Sequence, residues 1–308
     1  MKFRALLFIL LSISAFKIDA QNTPVTKKAA VALIKQGKIK EAEELFAKAI
    51  EQKPDSAWPY VGRGNVELQL KDSNKALDDF NKAIDLDKNY ASAYSGRGQI
   101  EFSRKNNTDA LKDFELAIQL KPEEDPEAYA YRGMIKDQQK DTAAALVDFN
   151  KAIDMRPNLA AAFCGRGMLK YEKKDYRGAL KDFTKASTVN PEMIDALVGK
   201  GKSMAKTKNF DGAGDSFNAA LDLNSNYAPA YQGEGIMKME QKDYKGAVSC
   251  FNKAVKAAPG NAEYYFNKGM AELNVKSDAK DACTDLNKAK DMGYSDPDLD
   301  SSLGTNCN

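Results

Sequence analysis

Residues 91–122 read ASAYSGRGQIEFSRKNNTDALKDFELAIQLKP. Small or apolar residues recur at helical spacing in the first half (Ala91, Tyr94, Gly98, Ile100, Phe102) and again in the second (Ala110, Leu111, Phe114, Ala117, Ile118). A helix of about 14 residues is about 21 Å long, and the polar break between the halves suits a tight turn. The stretch therefore predicts two antiparallel helices in one hairpin. Gly98 and Ala110 stand where a larger side chain would hold the two backbones apart. That is a packing reason for a glycine inside a helix, where it costs about 1 kcal/mol relative to alanine. Pro122 stands where the second helix must stop, because proline lacks the amide proton and disfavours helix in the residue before it.

The same arrangement returns along the chain. A marker glycine recurs at 64, 98, 133, 167, 201, 235 and 269, a period of 34 with one step of 35. Sixteen residues after most of these glycines comes a phenylalanine: Phe80, Phe114, Phe149, Phe183, Phe217 and Phe251, with Leu286 in the last unit. Alanines at 83, 117, 152, 186, 220, 254 and 289 close the units, and residues 25–54 fit as a degenerate first unit with Ala42, Phe46 and Ala49 in register. A fixed period of this length means stacked units, each burying its face against the next. Eight units run from about residue 21 to 293, which predicts one elongated solenoid.

These residues carry a resemblance. The 34-residue helix–turn–helix with glycine, alanine, phenylalanine, alanine and proline in these places resembles the tetratricopeptide repeat over nearly all of residues 21–293. The chain departs from that pattern at Glu67, Glu101, Lys136 and Lys170, where a large apolar residue is usual, and at Lys88 and Ser225, which replace the proline. The resemblance implies an all-α, right-handed superhelical solenoid of about eight repeats, with first helices lining a concave groove. It implies binding of a protein or peptide, and no catalysis. The groove positions it implies include Trp58, Asn65, Gln69, Gln99, Phe102, Met134, Gln138, Met168, Tyr171 and Met239, continued by Ile236, Phe266, Met270 and Leu273. Methionine and aromatic side chains on such a face suit adaptable recognition. The alternative is that several of them pack against the neighbouring repeat.

Arginine and aspartate recur sixteen residues apart, as Arg63 with Asp79, Arg97 with Asp113, Arg132 with Asp148 and Arg166 with Asp182. Further on both members change together, to Lys200 with Ser216 and Glu234 with Cys250, before Lys268 with Asp285 restores opposite charges. A catalytic residue has no reason to repeat at regular steps along a rod. A helix-to-helix ion pair does, so these are expected as structural pairs, partly buried at the margin of the packed faces.

The chain has 308 residues and no histidine, which excludes histidine-dependent nucleophilic catalysis and histidine-ligated metal sites. Four cysteines at 164, 250, 283 and 307 lack the close spacing of a zinc or redox motif. No cofactor is expected. Residues 196–203, ALVGKGKS, satisfy a loose phosphate-loop pattern but fall inside a first helix, where the amides are already bonded. Glycine pairs such as Gly96 with Gly98 and Gly233 with Gly235 lack the third glycine and the preceding strand of a dinucleotide fingerprint.

At the N-terminus, Lys2 and Arg4 precede an apolar stretch from Ala5 to Phe16, and Ala20 ends the segment. Residues 1–20 read as a signal peptide cleaved before Gln21. The alternative of an uncleaved anchor needs more than these twelve residues to span a bilayer. Lysines and arginines number 46 and acids 44, and residues 1–20 hold Lys2, Arg4, Lys17 and Asp19, so a chain without them is formally neutral. Charges are interleaved without a basic block, so nucleic acid is not the expected partner, and no later segment is apolar enough to cross a membrane. Residues 294–308 form a tail; if it folds back over the last unit, Cys307 reaches Cys283, the alternative being two separate thiols. Together these readings describe a non-enzymatic scaffold, periplasmic or secreted, holding a protein or peptide in its groove. The alternatives are a structural subunit of an envelope assembly or secretion complex and, more weakly, a carbohydrate or peptidoglycan binder using Trp58.

Overall fold

A computed structural model of the chain describes residues 25–275 and 279–307; the signal-peptide reading of residues 1–20 lies outside them. The described residues form seventeen α-helices and no strand. The fold is all-α, built of helix–turn–helix repeats. Contacts divide it into two compact units, the first ending at Ile135 and the second beginning at Lys136.

The first unit holds α1 (Lys27–Lys35), α2 (Ile39–Gln52), α3 (Ala57–Gln69), α4 (Ser73–Leu86), α5 (Ala91–Ser103) and α6 (Asn107–Leu120). The division falls inside α7 (Pro126–Gln138), directly after the one 35-residue step. The second unit continues with α8 (Thr142–Met155), α9 (Ala160–Glu172), α10 (Tyr176–Val189), α11 (Ile194–Lys206), α12 (Phe210–Leu223), α13 (Ala228–Glu240), α14 (Tyr244–Ala257), α15 (Ala262–Asn274), α16 (Ala279–Asp291) and α17 (Pro297–Asn306). In the quoted stretch, α5 ends at Ser103 and α6 starts at Asn107, so the break between the halves is residues 104–106.

Six hairpins turn through a lysine, and the first turns through Gly37 at φ 74°. Lys71, Lys105, Lys140, Lys174, Lys208 and Lys242 have φ between 61° and 66°, a left-handed conformation more often given to glycine. The residue after each lysine bonds back to the first helix, as Asp72 N does to Glu67 O at 2.9 Å. Most of these same residues then cap the second helix: Asp72, Asp141, Asp175, Asn209 and Asp243 accept from the amide three residues on. One residue ends one helix and begins the next.

The core of each unit is a row of buried phenylalanines, Phe46, Phe80 and Phe114 in the first and Phe149, Phe183, Phe217 and Phe251 in the second. Phe80, Phe183 and Phe217 are each clasped by two glycines. A Cβ added at Gly64 would sit 2.9 Å from Phe80 of the same hairpin, and one added at Gly96 would sit 2.3 Å from that ring, out of the next hairpin. Gly165 approaches Phe149, Gly199 approaches Phe183 and Gly233 approaches Phe217 in the same way. The glycine pairs that fail as a dinucleotide fingerprint are thus the contact surfaces for successive rings. At residue 131 a tyrosine replaces that glycine, and its ring stacks on Phe114 with centroids 5.3 Å apart and planes at 4°.

Within each unit the first helices of successive hairpins touch one another, α3 with α5 in the first and α9 with α11, α11 with α13 and α13 with α15 in the second. Among the described residues the second helices do not pack on each other to that extent. The segment read as a tail carries a helix: Asp296 caps α17, Pro297 opens it, and Leu299 is buried. Lys290 Nζ lies 3.1 Å from Asp300 Oδ1, and Cys283 and Cys307 are joined in a disulfide across 24 residues of sequence.

Candidate binding surfaces

The recurring ion pairs lie inside the hairpins. Arg63 donates to both carboxylate oxygens of Asp79 at 2.7 Å, Arg97 to Asp113 at 2.8 and 2.7 Å, and Arg166 to Asp182 at 2.8 Å twice. The partners are unequally buried: these aspartate side chains are 2–8% exposed and the arginines 20–29%. The acids are therefore deeper than a margin position suggested, and the guanidiniums reach in from the surface. Arg97 and Arg166 use a third nitrogen on Asn81 at 3.1 Å and Asn150 at 2.9 Å. Arg132 lies in the first unit, over the Tyr129 ring at 5.4 Å, and Asp148 lies in the second, where Lys136 Nζ meets it at 3.0 Å.

Of the charged residues that depart from the family pattern, Lys136 and Lys170 join these aspartates. Lys170 adds a 2.7 Å contact to Asp182. Burial opposes ionisation of Asp182, but the hydrogen bonds from Arg166 and Lys170 outweigh it and hold the carboxyl below the usual range. In the last repeat Lys268 meets Asp285 at 2.7 Å, whereas in the repeat with Lys200 the Ser216 hydroxyl donates to Gly212 O at 2.8 Å instead.

A second column went unread in the sequence. Four residues before the marker glycine, Tyr60, Tyr94, Tyr129 and Tyr231 donate their hydroxyls to the carbonyls of Pro54, Lys88, Pro122 and Ser225 at 2.8–3.1 Å, tying each first helix to the end of the preceding one. The recurrence of tyrosine at that offset was the available signal.

The expected groove residues all stand on first helices, in unequal settings. Trp58 is half-buried and meets Phe46 edge-on at 6.1 Å, so it serves hairpin packing in α3, while Asn65 and Gln69 of the same helix are exposed. On α5, Gln99 is half-buried and Phe102 meets Tyr131 edge-on at 5.4 Å. Met134 and Gln138 of α7 fall on opposite sides of the division. On α9, Met168 is 48% exposed, and Tyr171 packs on Tyr176 at 5.2 Å, its hydroxyl pushed up to about 12 by burial.

On α13 and α15 the structure gathers these residues. Ile236, Met239, Phe266 and Met270 line a cleft of about 350 Å³. Lys206, salt-bridged to Glu240 at 2.5 Å, and Asp298 of α17 stand at its edge. Nearby, a polar ladder runs across α11, α13 and α15: Lys202 Nζ lies 3.4 Å from Gln232 Oε1, and Gln232 Nε2 donates to Glu263 at 2.7 Å. Burial lowers the pKa of Lys202. Tyr227 donates its hydroxyl to Asp195.

Residues 196–203 lie wholly within α11. Cys164 and Cys250 are buried free thiols, pushed up to about 12 by burial. Among the described residues no helix is long and apolar enough to cross a membrane.

Comparison with known proteins agrees with the repeat geometry. A tetratricopeptide repeat model matches residues 27–91, 61–125, 164–228 and 234–297, and a second tetratricopeptide repeat model matches residues 126–159. No curated protein matches the chain. Among solved structures, a chain of the APC/C hetero-tetramer Cut9–Hcn1 is similar with a TM-score of 0.72 at 14% identity, covering 91% of this chain; this chain spans 55% of that one. A tetratricopeptide repeat protein from Parabacteroides merdae ATCC 43184 matches at TM-score 0.56 and 19% identity, over 82% of this chain and 99% of its own. PilF of Pseudomonas aeruginosa matches at TM-score 0.56 and 19% identity, over 70% of this chain and 96% of its own. At these identities the likeness is one of fold. With repeat models matched along most of its length and hairpins packed as described, the chain belongs to the tetratricopeptide repeat family, a family of protein-interaction scaffolds that are in general not enzymes.

Proposed function

We propose that the protein is an exported scaffold that holds a protein or peptide segment against the first helices of its second unit. The cleft between α13 and α15 carries this reading. Its floor of Ile236, Met239, Phe266 and Met270 offers apolar anchorage with adaptable methionines, and Lys206, Glu240 and Asp298 supply a charged edge. Met168 and Tyr171 on α9 extend the apolar residues of the same row of helices. Export is supported by the character of residues 1–20 and by the Cys283–Cys307 disulfide, since such bonds persist in oxidising compartments.

The test is site-specific photocrosslinking in the native host, with the crosslinker at Met239 on the first-helix side or at exposed Lys181 on the second helix α10. A partner captured from Met239 and not from Lys181, and lost on Phe266→Ala, is the expected result. Capture from Lys181 alone, or equally from both, moves the interface to the outer helices and makes an assembly subunit the better reading. N-terminal sequencing of the mature chain tests export: it should begin at Gln21, and a chain beginning at Met1 refutes cleavage.

A further inference from the structure

In the first unit, α2, α3 and α4 enclose a cleft of about 560 Å³. Five carboxylates line it: Glu43 and Glu44 of α2, Glu67 of α3, and Asp78 and Asp79 of α4. The cations are Lys40, Arg63 and Lys75. Two of these are already engaged, Arg63 with both oxygens of Asp79 at 2.7 Å and Lys75 with Asp72 at 3.0 Å. The cleft is left with an excess of negative charge.

Glu67 is the member that lacks a hydrogen-bond donor. It is 4% exposed, and its Oε2 has no hydrogen-bond partner. The Arg63 Nε is 3.9 Å from Oε1 and turned to Asp79, too far for a hydrogen bond. Burial, and then the charge of Asp79, push this carboxyl up to about 7. The next repeat shows what is missing. Glu101 stands at the same place after its marker glycine and accepts a hydrogen bond from Asn106 Nδ2 at 2.9 Å. In the repeat of Glu67 the position of Asn106 is occupied by Asp72, whose carboxylate has no donor to give and adds a second negative charge. One amide-to-acid exchange removes an internal donor and leaves a buried acceptor that an outside donor can satisfy.

We propose that this cleft binds an alkylammonium or alkylguanidinium group, the head of a lysine or arginine side chain on a partner, with Glu67 as its principal acceptor. Glu43, Glu44 and Asp78, which line the same cleft, attract such a cation toward Glu67. The bound cation takes the place of the proton that Glu67 otherwise holds. This surface is made by α2, α3 and α4 in the first unit and shares no residue with the α13–α15 cleft, so either reading can fail alone.

The experiment follows the side-chain carboxyl carbon of Glu67 by NMR in isotope-labelled protein, the signal being assigned by its loss in Glu67→Gln. Three titrants are compared at equal ionic strength: cadaverine, a blocked Gly-Gly-Arg-Gly-Gly peptide, and sodium chloride. Expected is a saturable shift with an organic cation, with the protonation midpoint of Glu67 falling by at least one pH unit, and no such change with sodium. Tighter binding by the peptide identifies a partner side chain as the source, and tighter binding by the diamine a free polyamine. Asp72→Asn restores the donor found in the next repeat and should weaken binding at least tenfold. Organic cations that move the signal no more than sodium chloride does, or an Asp72→Asn variant that binds as well as the native chain, overturn the proposal.

Discussion

Replacing Asp182 with alanine tests whether the recurring ion pairs hold the hairpins together. The carboxylate is 2% exposed and receives three charge-assisted hydrogen bonds, two from Arg166 at 2.8 Å and one from Lys170 at 2.7 Å. Alanine leaves two cations facing one another with no acid. Removing one partner of a buried pair costs about 3–5 kcal/mol, against about 0.2–1 kcal/mol for an exposed one. The Arg166 and Lys170 side chains retain 20% and 28% exposure and can recover some hydration, so the loss should fall near the low end, about 3 kcal/mol. Repeat arrays need not unfold in two states, and their stability is a sum of repeat and interface contributions. The informative assay is therefore native-state hydrogen exchange, with faster exchange concentrated in α9 and α10. The pH dependence adds a second check. The folded pKa of Asp182 lies below its ordinary value, so the stabilisation is present above about pH 4 and is lost as pH falls through the lowered pKa. The gap between native and variant should close at low pH. A loss under about 0.5 kcal/mol at pH 7, of the size expected for an exposed pair, or faster exchange spread evenly over the chain, would refute the reasoning.

Other perturbations separate packing from helix propensity. Gly165→Ala brings a methyl 2.3 Å from the Phe149 ring and should destabilise by about 1–3 kcal/mol, whereas Gly214→Ala meets nothing within 4 Å and should stabilise by about 0.5–1 kcal/mol; thermal midpoints moving in the same direction would contradict the ring-clasp account. Glu67 has a folded pKa of about 7, above its ordinary 4.5, so its favourable contribution is complete below about pH 4.5 and fades as pH rises through 7. Glu67→Gln should accordingly be more stable than the native protein at pH 8, by about 1–3 kcal/mol, with the difference shrinking as pH falls through 7 and vanishing only below about pH 4.5; a constant difference across this range would exclude titration of Glu67 as its source. Reducing the Cys283–Cys307 bond opens a loop of 24 residues and should cost about 3 kcal/mol, with the α16 and α17 amides exchanging fastest. An unchanged unfolding midpoint on reduction would show that the cap holds without the bond.

The repeat was legible because its signals are local and recur. Each phenylalanine, alanine and proline is read against its own helix, and a period of 34 multiplies a weak local pattern into a strong one. The candidate site was legible only as a set of positions. Trp58 and Met239 occupy first helices alike, yet the first packs on Phe46 while the second lines an open cleft with Phe266 and Met270. Which of these happens depends on the residues of the neighbouring hairpin, and a pattern taken one repeat at a time does not contain them.

From its sequence alone this protein is determined to be all-α, stacked in 34-residue hairpins, with arginine and aspartate recurring at a fixed spacing in four of them. These follow from helical periodicity and from residues at fixed spacing. Tertiary structure decided the rest: that the aspartates lie deeper than their partners, that Gly96 and Gly64 clasp one ring from two hairpins, and that α17 is fastened by Cys307. It also decided that Glu67 lacks the donor Glu101 has. Burial and hydrogen-bond satisfaction belong to the assembled neighbours of a residue, and only packing brings those neighbours together.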